Sequence, residues 1–323
     1  MRIAVVGTIN RDTIELPDGQ VTRSYGGLLY SITALALLTP PGTTILPLLN
    51  LGRDVEKPVR KILSSFGSVS QEGIRIVEEP NNQVTLRYRS DSQREEIQLG
   101  GLPAVTFDQM APFMDADVFL VNFISGQDLT LETFTRLRSG TRASIYTDLH
   151  SLTLGIDEKG RRYRRPLPEW FRWAAQADVI QMNRAEARSL AGNRLEREAE
   201  VRRFGREVLS FGPEVLLITL DADGSLLIAG AGEGLSMERI QPHRPERVAD
   251  ATGCGDVFLA AFLSRHAFGM DALASSRFAN RAAGIKAGMC GIEELDRLST
   301  LVSGAEESME GSVDNRPQDR KKC

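Results

Sequence analysis

The sequence predicts an α/β fold: a central, mostly parallel β-sheet with helices on both faces, and a small second β-sheet beside it. Three observations carry this. Short unbroken apolar runs at residues 3–6, 118–121 and 215–220 read as strands buried on both faces. Segments of helical length alternate with such runs, a rhythm that right-handed crossovers turn into a parallel sheet. Outside these, residues 83–88 and 94–99 alternate polar and apolar side chains and read as half-exposed strands, and two short extended pieces lie within 13–25.

Size and charge narrow the function. With 323 residues, 41% of them hydrophobic, the chain can bury a large core. A net charge of −4 argues against a broad nucleic-acid footprint. Three cysteines, Cys254, Cys290 and Cys323, are too few and too scattered for a disulfide framework or a zinc site, and they fit a reducing cytoplasm. No apolar run reaches the ~18 residues of a membrane span, so no membrane partner is expected.

Along the chain, the first strand ends at Gly7, and ligands in open α/β sheets gather beyond strand carboxyl ends. Asn10 and Asp12 are therefore candidates to bind a polar ligand, although both also suit a turn. Asp18-Gly19 marks a hairpin between residues 13–16 and 20–23. Gly26-Gly27 either closes that hairpin or opens the apolar helix that follows. Residues 83–88 and 94–99 flank a turn at Ser90-Asp91-Ser92. A strand over 143–146 leads to Asp148 and His150, at another carboxyl edge, and Arg161 to Arg165 read as a solvated basic loop.

After a strand at 177–182, Asn183 and Glu186 have the spacing of a capping box, with Gly192 closing the helix. The run at 215–220 ends in the turn Asp221-Ala222-Asp223-Gly224-Ser225. Residues 277–288 form a helix rich in small side chains. Residues 303–323 are almost free of apolar side chains and read as a disordered tail to a domain over 1–302.

One stretch carries chemistry. Asp250-Ala251-Thr252-Gly253-Cys254-Gly255-Asp256 runs into the apolar 257–263, a tight turn that opens a buried helix. The first turn of a helix offers unpaired amides and the positive end of the peptide dipoles, which suits an anion. Asp256 beside those amides supplies a carboxylate able to take a hydroxyl proton, the other requirement of phosphoryl transfer to an alcohol. As local structure alone, the same residues are an ordinary helix cap.

This stretch resembles the Asp-Thr-x-Gly-Ala-Gly-Asp signature of the ribokinase, or PfkB, family of carbohydrate and nucleoside kinases, and the similarity spans about residues 3–295. The resemblance implies a ribokinase-like fold and ATP-dependent phosphorylation of a hydroxyl on a small sugar or nucleoside. It makes Asp256 the general base and the amides of Gly253, Cys254, Gly255 and Asp256 the anion hole. It places Asn10, Asp12, Gly26, Gly27 and Ser31 at the acceptor. Asn183, Thr219, Gly224 and Asn280 would lie along the nucleotide, with Glu186 ordering water around Mg²⁺ and K⁺ near Asp250 and Thr252. The strands within 13–25 and 83–99 would be a lid, whose open edge suits pairing in a homodimer.

The chain departs from the family pattern at several places. Ala251 and Cys254 replace Thr and Ala, Ser31 and His150 each replace Asn, and Asp221 replaces Gly. These departures support a rival expectation, a retired kinase fold that binds ligand or regulates without turnover. A nicotinamide-dependent dehydrogenase is disfavoured because Gly7 opens no Gly-x-Gly-x-x-Gly turn.

Overall fold

The computed structural model describes residues 1–302 other than 16, 91, 92, 194 and 231. The expected tail over 303–323 and the tip of the expected turn at Asp91-Ser92 lie outside the described residues. A nine-stranded sheet forms the centre, in the order Ser236–Ile240, Ser225–Ala229, Val215–Thr219, Val179–Asn183, Ser144–Asp148, Val118–Asn122, Arg2–Val6, Thr44–Gly52, Ile74–Val77. All neighbours pair in parallel except the first two pairs, which are antiparallel. Full burial of strands such as Val118–Asn122 explains why they read as unbroken apolar runs.

Each face of the sheet has its own core. Leu28–Leu38, Cys254–His266 and Ala272–Ala287 pack against Ile3, Val5, Leu120 and Leu217. Side chains of Leu131–Gly140 and Glu198–Ser210 pack with Ala4, Val6, Phe119 and Leu216 on the other face. The Cys254–His266 helix is buried from Val257 to Ser264, so its amino end is held rigidly at the carboxyl edge of the sheet.

A separate four-stranded sheet runs in the order Val21–Gly27, Ile9–Glu15, Gln83–Ser90, Gln93–Leu99. Its first strand begins at Ile9, so Asn10 and Asp12 lie in a strand and not in the turn that their residue types suggested. Period-two alternation puts both on the buried face with Ile14.

The basic run exposes Arg161, Arg164 and Arg165 to solvent as expected, but it contains a strand and one buried arginine. Arg162–Arg164 pairs with Leu154–Ile156, and only 3% of the Arg162 side chain is exposed. Its guanidinium donates to Ser151 Oγ at 2.6 Å and to the Ile124 and Ser125 carbonyls at 3.0 and 3.2 Å, and reaches Gln98 of the small sheet. Five fixed donors let one arginine tie the two sheets together.

Candidate active site

The parallel strands deliver Asn122, Asp148 and Asn183 at neighbouring carboxyl ends, with Asn122 and Asp148 in direct register. Opposite them, Gly253 caps the Cys254–His266 helix at φ 80° beside the Tyr30 ring. A Cβ there would come within 2.5 Å of that ring, so the turn needs glycine for both space and backbone angle. Cys254 N donates to the Ala251 carbonyl at 3.2 Å, which engages one of the amides expected in the anion hole. No described residue accepts a bond from the Gly253 or Gly255 amide.

Asp256 is half-buried in the first turn, and its Oδ1 accepts from Asn122 Nδ2 at 2.6 Å. Asn122 also donates to Ser31 Oγ at 3.3 Å, and Ser31 Oγ donates to the Asp256 carbonyl at 3.4 Å. Burial raises the Asp256 carboxyl above its ordinary value, against the Asn122 bond, the His150 and Lys286 charges and its own backbone. The outcome is a carboxyl group aimed by an amide and raised above its ordinary value by burial.

Asp12 is 3% exposed, and burial, followed by the charges of Glu96, Asp256 and Asp250, pushes it up to about 7. A Cβ at Gly26, on the adjacent strand, would sit 1.9 Å from Asp12 Oδ2, so the glycine makes room for that carboxylate. Asn10 is buried with its Oδ1 unpaired. Both groups have unmet capacity for a polar ligand.

A second cluster adjoins the first. Gln181 Nε2 donates to Asp148 Oδ2 at 2.8 Å and to the Gly255 carbonyl at 3.0 Å, coupling the central sheet to the glycine turn. The expected capping box is present: Asn183 Oδ1 accepts from Glu186 N at 2.9 Å, and Glu186 Oε2 from Asn183 N at 2.7 Å. Glu186 Oε1 meets His150 Nδ1 at 2.8 Å. Burial opposes charge on His150, but the Glu186 carboxylate overrides it and lifts the imidazole up to about 9. Burial likewise opposes the Glu186 charge, and the His150 charge and bond bring its carboxyl below the usual value. Asp148 is pushed up to about 7 by burial, with the Glu186 charge adding.

These contacts test the fit of a divalent ion. Both Glu186 oxygens already accept hydrogen bonds, so the residue suits contact with Mg²⁺ through water and not as a direct ligand. Among the described residues no group of three His, Cys, Asp or Glu is placed to hold a metal. The position beside Asp250, where the resemblance implies a monovalent cation, holds the Lys286 ammonium, whose Nζ donates to the Asp250 carbonyl at 3.2 Å.

The nucleotide candidates divide. Thr219 is in register with Asn183, near this cluster. Asn280 lies apart: its Nδ2 donates to Ser225 Oγ at 2.7 Å, and it lines a cavity of about 380 Å³ with Ile240, Pro242, His243 and Arg277. Gly224 packs against the Ile240 carbonyl beside it. Asp221 is exposed, at φ 54°. Asn122, Gln181 and Lys286 escaped the sequence reading. Their one signal is a polar side chain at or near the end of an apolar element.

Residues 158–292 match the pfkB family carbohydrate kinases. A cytidine kinase of Thermococcus kodakarensis is 23% identical over 269 residues, 83% of this chain and 89% of that protein. Ribokinase from Giardia lamblia superposes with a TM-score of 0.76 at 17% identity, over 94% of this chain and 100% of that one. A nucleoside kinase of Burkholderia thailandensis in complex with inosine gives 0.72 at 19% identity, over 96% and 98%.

Proposed function

We propose that this chain, whose residues 158–292 match the pfkB family carbohydrate kinases, transfers the terminal phosphoryl group of ATP to a hydroxyl of a small sugar or nucleoside. The observation that carries the reading is the 2.6 Å bond from Asn122 to Asp256 at the mouth of the glycine turn. Asp256 takes the proton of the acceptor hydroxyl as that oxygen bonds to phosphorus and the bond to the leaving ADP oxygen breaks. The Gly253 and Gly255 amides hold the charge on the moving group, with Cys254 and Asp256 completing the turn. Glu186 would hold Mg²⁺ through water, and the ion, when bound, would neutralise charge on the donor.

Asp12 and Asn10 hold acceptor hydroxyls, with Gly26, Gly27 and Ser31 shaping that end of the site. Asn183, Thr219, Gly224 and Asn280 line the nucleotide. Raised strands within 9–27 and 83–99 act as a lid that keeps water from the donor. The exposed edge at Val21 to Arg23 is the surface for pairing with a second copy.

The test is ADP release over a panel of sugars and nucleosides with wild type and Asp256→Asn. Product with one acceptor class, lost in the variant, supports the reading. The engaged Cys254 amide and the His150 bond on Glu186 favour a second one, a binding protein without turnover. Ligand-induced thermal stabilisation with no product across the whole panel would establish it instead.

A further inference from the structure

Lys286, in the last turn of the Ala272–Ala287 helix, is fully buried. An ammonium out of water is costly unless it is surrounded by acceptors. Nζ donates to the Asp250 carbonyl at 3.2 Å and the Met289 carbonyl at 3.3 Å, and lies 3.8 Å from Asp250 Oδ2. It also sits 5.3 Å from the centroid of the Tyr30 ring, whose face supports Gly253. The helix end reinforces this hold, because the Ala287 carbonyl accepts from Ala249 N at 2.8 Å and Asp250 N at 3.3 Å.

Main-chain carbonyls, a carboxylate and an aromatic face are the surroundings in which a desolvated monovalent cation is stable. The geometry points to Lys286 as a built-in cation that fixes the Asp250–Asp256 turn and makes the protein independent of a free monovalent ion. Lys286 is thus a positioning residue: it acts on the glycine turn through Asp250 and Tyr30 and touches no reacting atom. Its charge reaches further, since it lowers both the Asp256 carboxyl and the Cys254 thiol against the upward push of burial. Asp250 Oδ1 is taken by Thr252 N at 2.8 Å, so Oδ2, which lacks a hydrogen bond, is left facing the ammonium.

The catalytic meaning of this inference rests on the kinase reading, but its test does not. Melting temperature is measured for wild type and Lys286→Ala with K⁺, ammonium, methylammonium, Na⁺ or choline as the sole monovalent cation. Wild type is expected to melt at the same temperature in all five. Lys286→Ala leaves a buried carboxylate and two carbonyls around a hole, and should lose about 5–10 °C in choline. K⁺, ammonium or methylammonium should restore at least half of that loss, a rescue that a purely packing role would not give.

With ATP as probe, calorimetry should show affinity falling roughly tenfold for the variant in choline and recovering with the same cations. Stabilisation of wild type by K⁺ over choline overturns the proposal, as does a variant equally depressed in every salt. If Lys286→Ala fails to fold in every salt, Lys286→Gln takes its place, and the wild-type comparison decides on its own. Because melting needs neither ATP nor an acceptor, failure of the kinase reading leaves this result interpretable.

Discussion

Asn122 and Asp256, 134 residues apart, meet in a 2.6 Å hydrogen bond from Nδ2 to Oδ1. Strand and helix thus share the job of aiming one carboxylate. Asp256→Asn is expected to lower kcat by about 10³-fold while ATP binding, followed by calorimetry, stays within about twofold.

Removing the donor in Asn122→Ala makes a subtler prediction. The Asn122 bond lowers the Asp256 pKa, so its loss raises that value further and moves the acidic limb of the kcat–pH profile to higher pH. An unmoved limb would assign Asn122 to packing alone.

Asp12 is a stability liability. Its folded-state value, about 7, exceeds the ordinary 3.8, so folding disfavours the ionised form. The cost is absent below pH 3.8, grows as pH rises through about 7, and is complete above it. Asp12→Asn should therefore stabilise the protein at pH 8 by on the order of 2–4 kcal/mol while abolishing acceptor binding. Denaturant melts at acidic and alkaline pH check the sign.

The His150–Glu186 pair runs the other way. A histidine raised from 6.5 to about 9 contributes stability that is fully present below pH 6.5 and is lost as pH climbs through about 9. His150→Asn should remove that dependence, which thermal melts across the range would reveal, and should leave Glu186 Oε1 with Asn183 Nδ2 as its donor.

Gly253→Ala should cost roughly 2–4 kcal/mol, from the left-handed backbone and the Tyr30 ring together. Tyr30→Ala combined with it should recover only the steric share, measurable as a double-mutant cycle.

How much of this could be read in advance follows from the range of each interaction. The Asn183–Glu186 capping box is local, three residues long, and its chemistry is written in its spacing. Buried strands were legible because burial on both faces demands an apolar run. Residues 250–256 were legible because one turn holds both the amides and the acid. Asn122 was not, since nothing near it in sequence marks its partner.

Lys286 resembles a routine cation at a helix end, where lysine usually faces solvent. The packing of 249–250 against the end of that helix, with the Met289 carbonyl and the Tyr30 ring, closes the space around it. Arg162 misled for a related reason. Three other arginines within five residues suggest solvent, and the neighbours that bury Arg162 come from 64 residues away at Gln98 and from beyond the strand end at Ile124.

The hairpin that carries Arg162 has a consequence for assembly. Gln98 N donates to the Gly160 carbonyl at 2.7 Å and Ile97 bridges to Arg161, so one border of the small sheet is already covered by the chain itself. The opposite border, around Val21, is exposed. A sheet with a single open border can zip to a twin only once, so association by this route terminates at a closed pair and cannot propagate into a fibre.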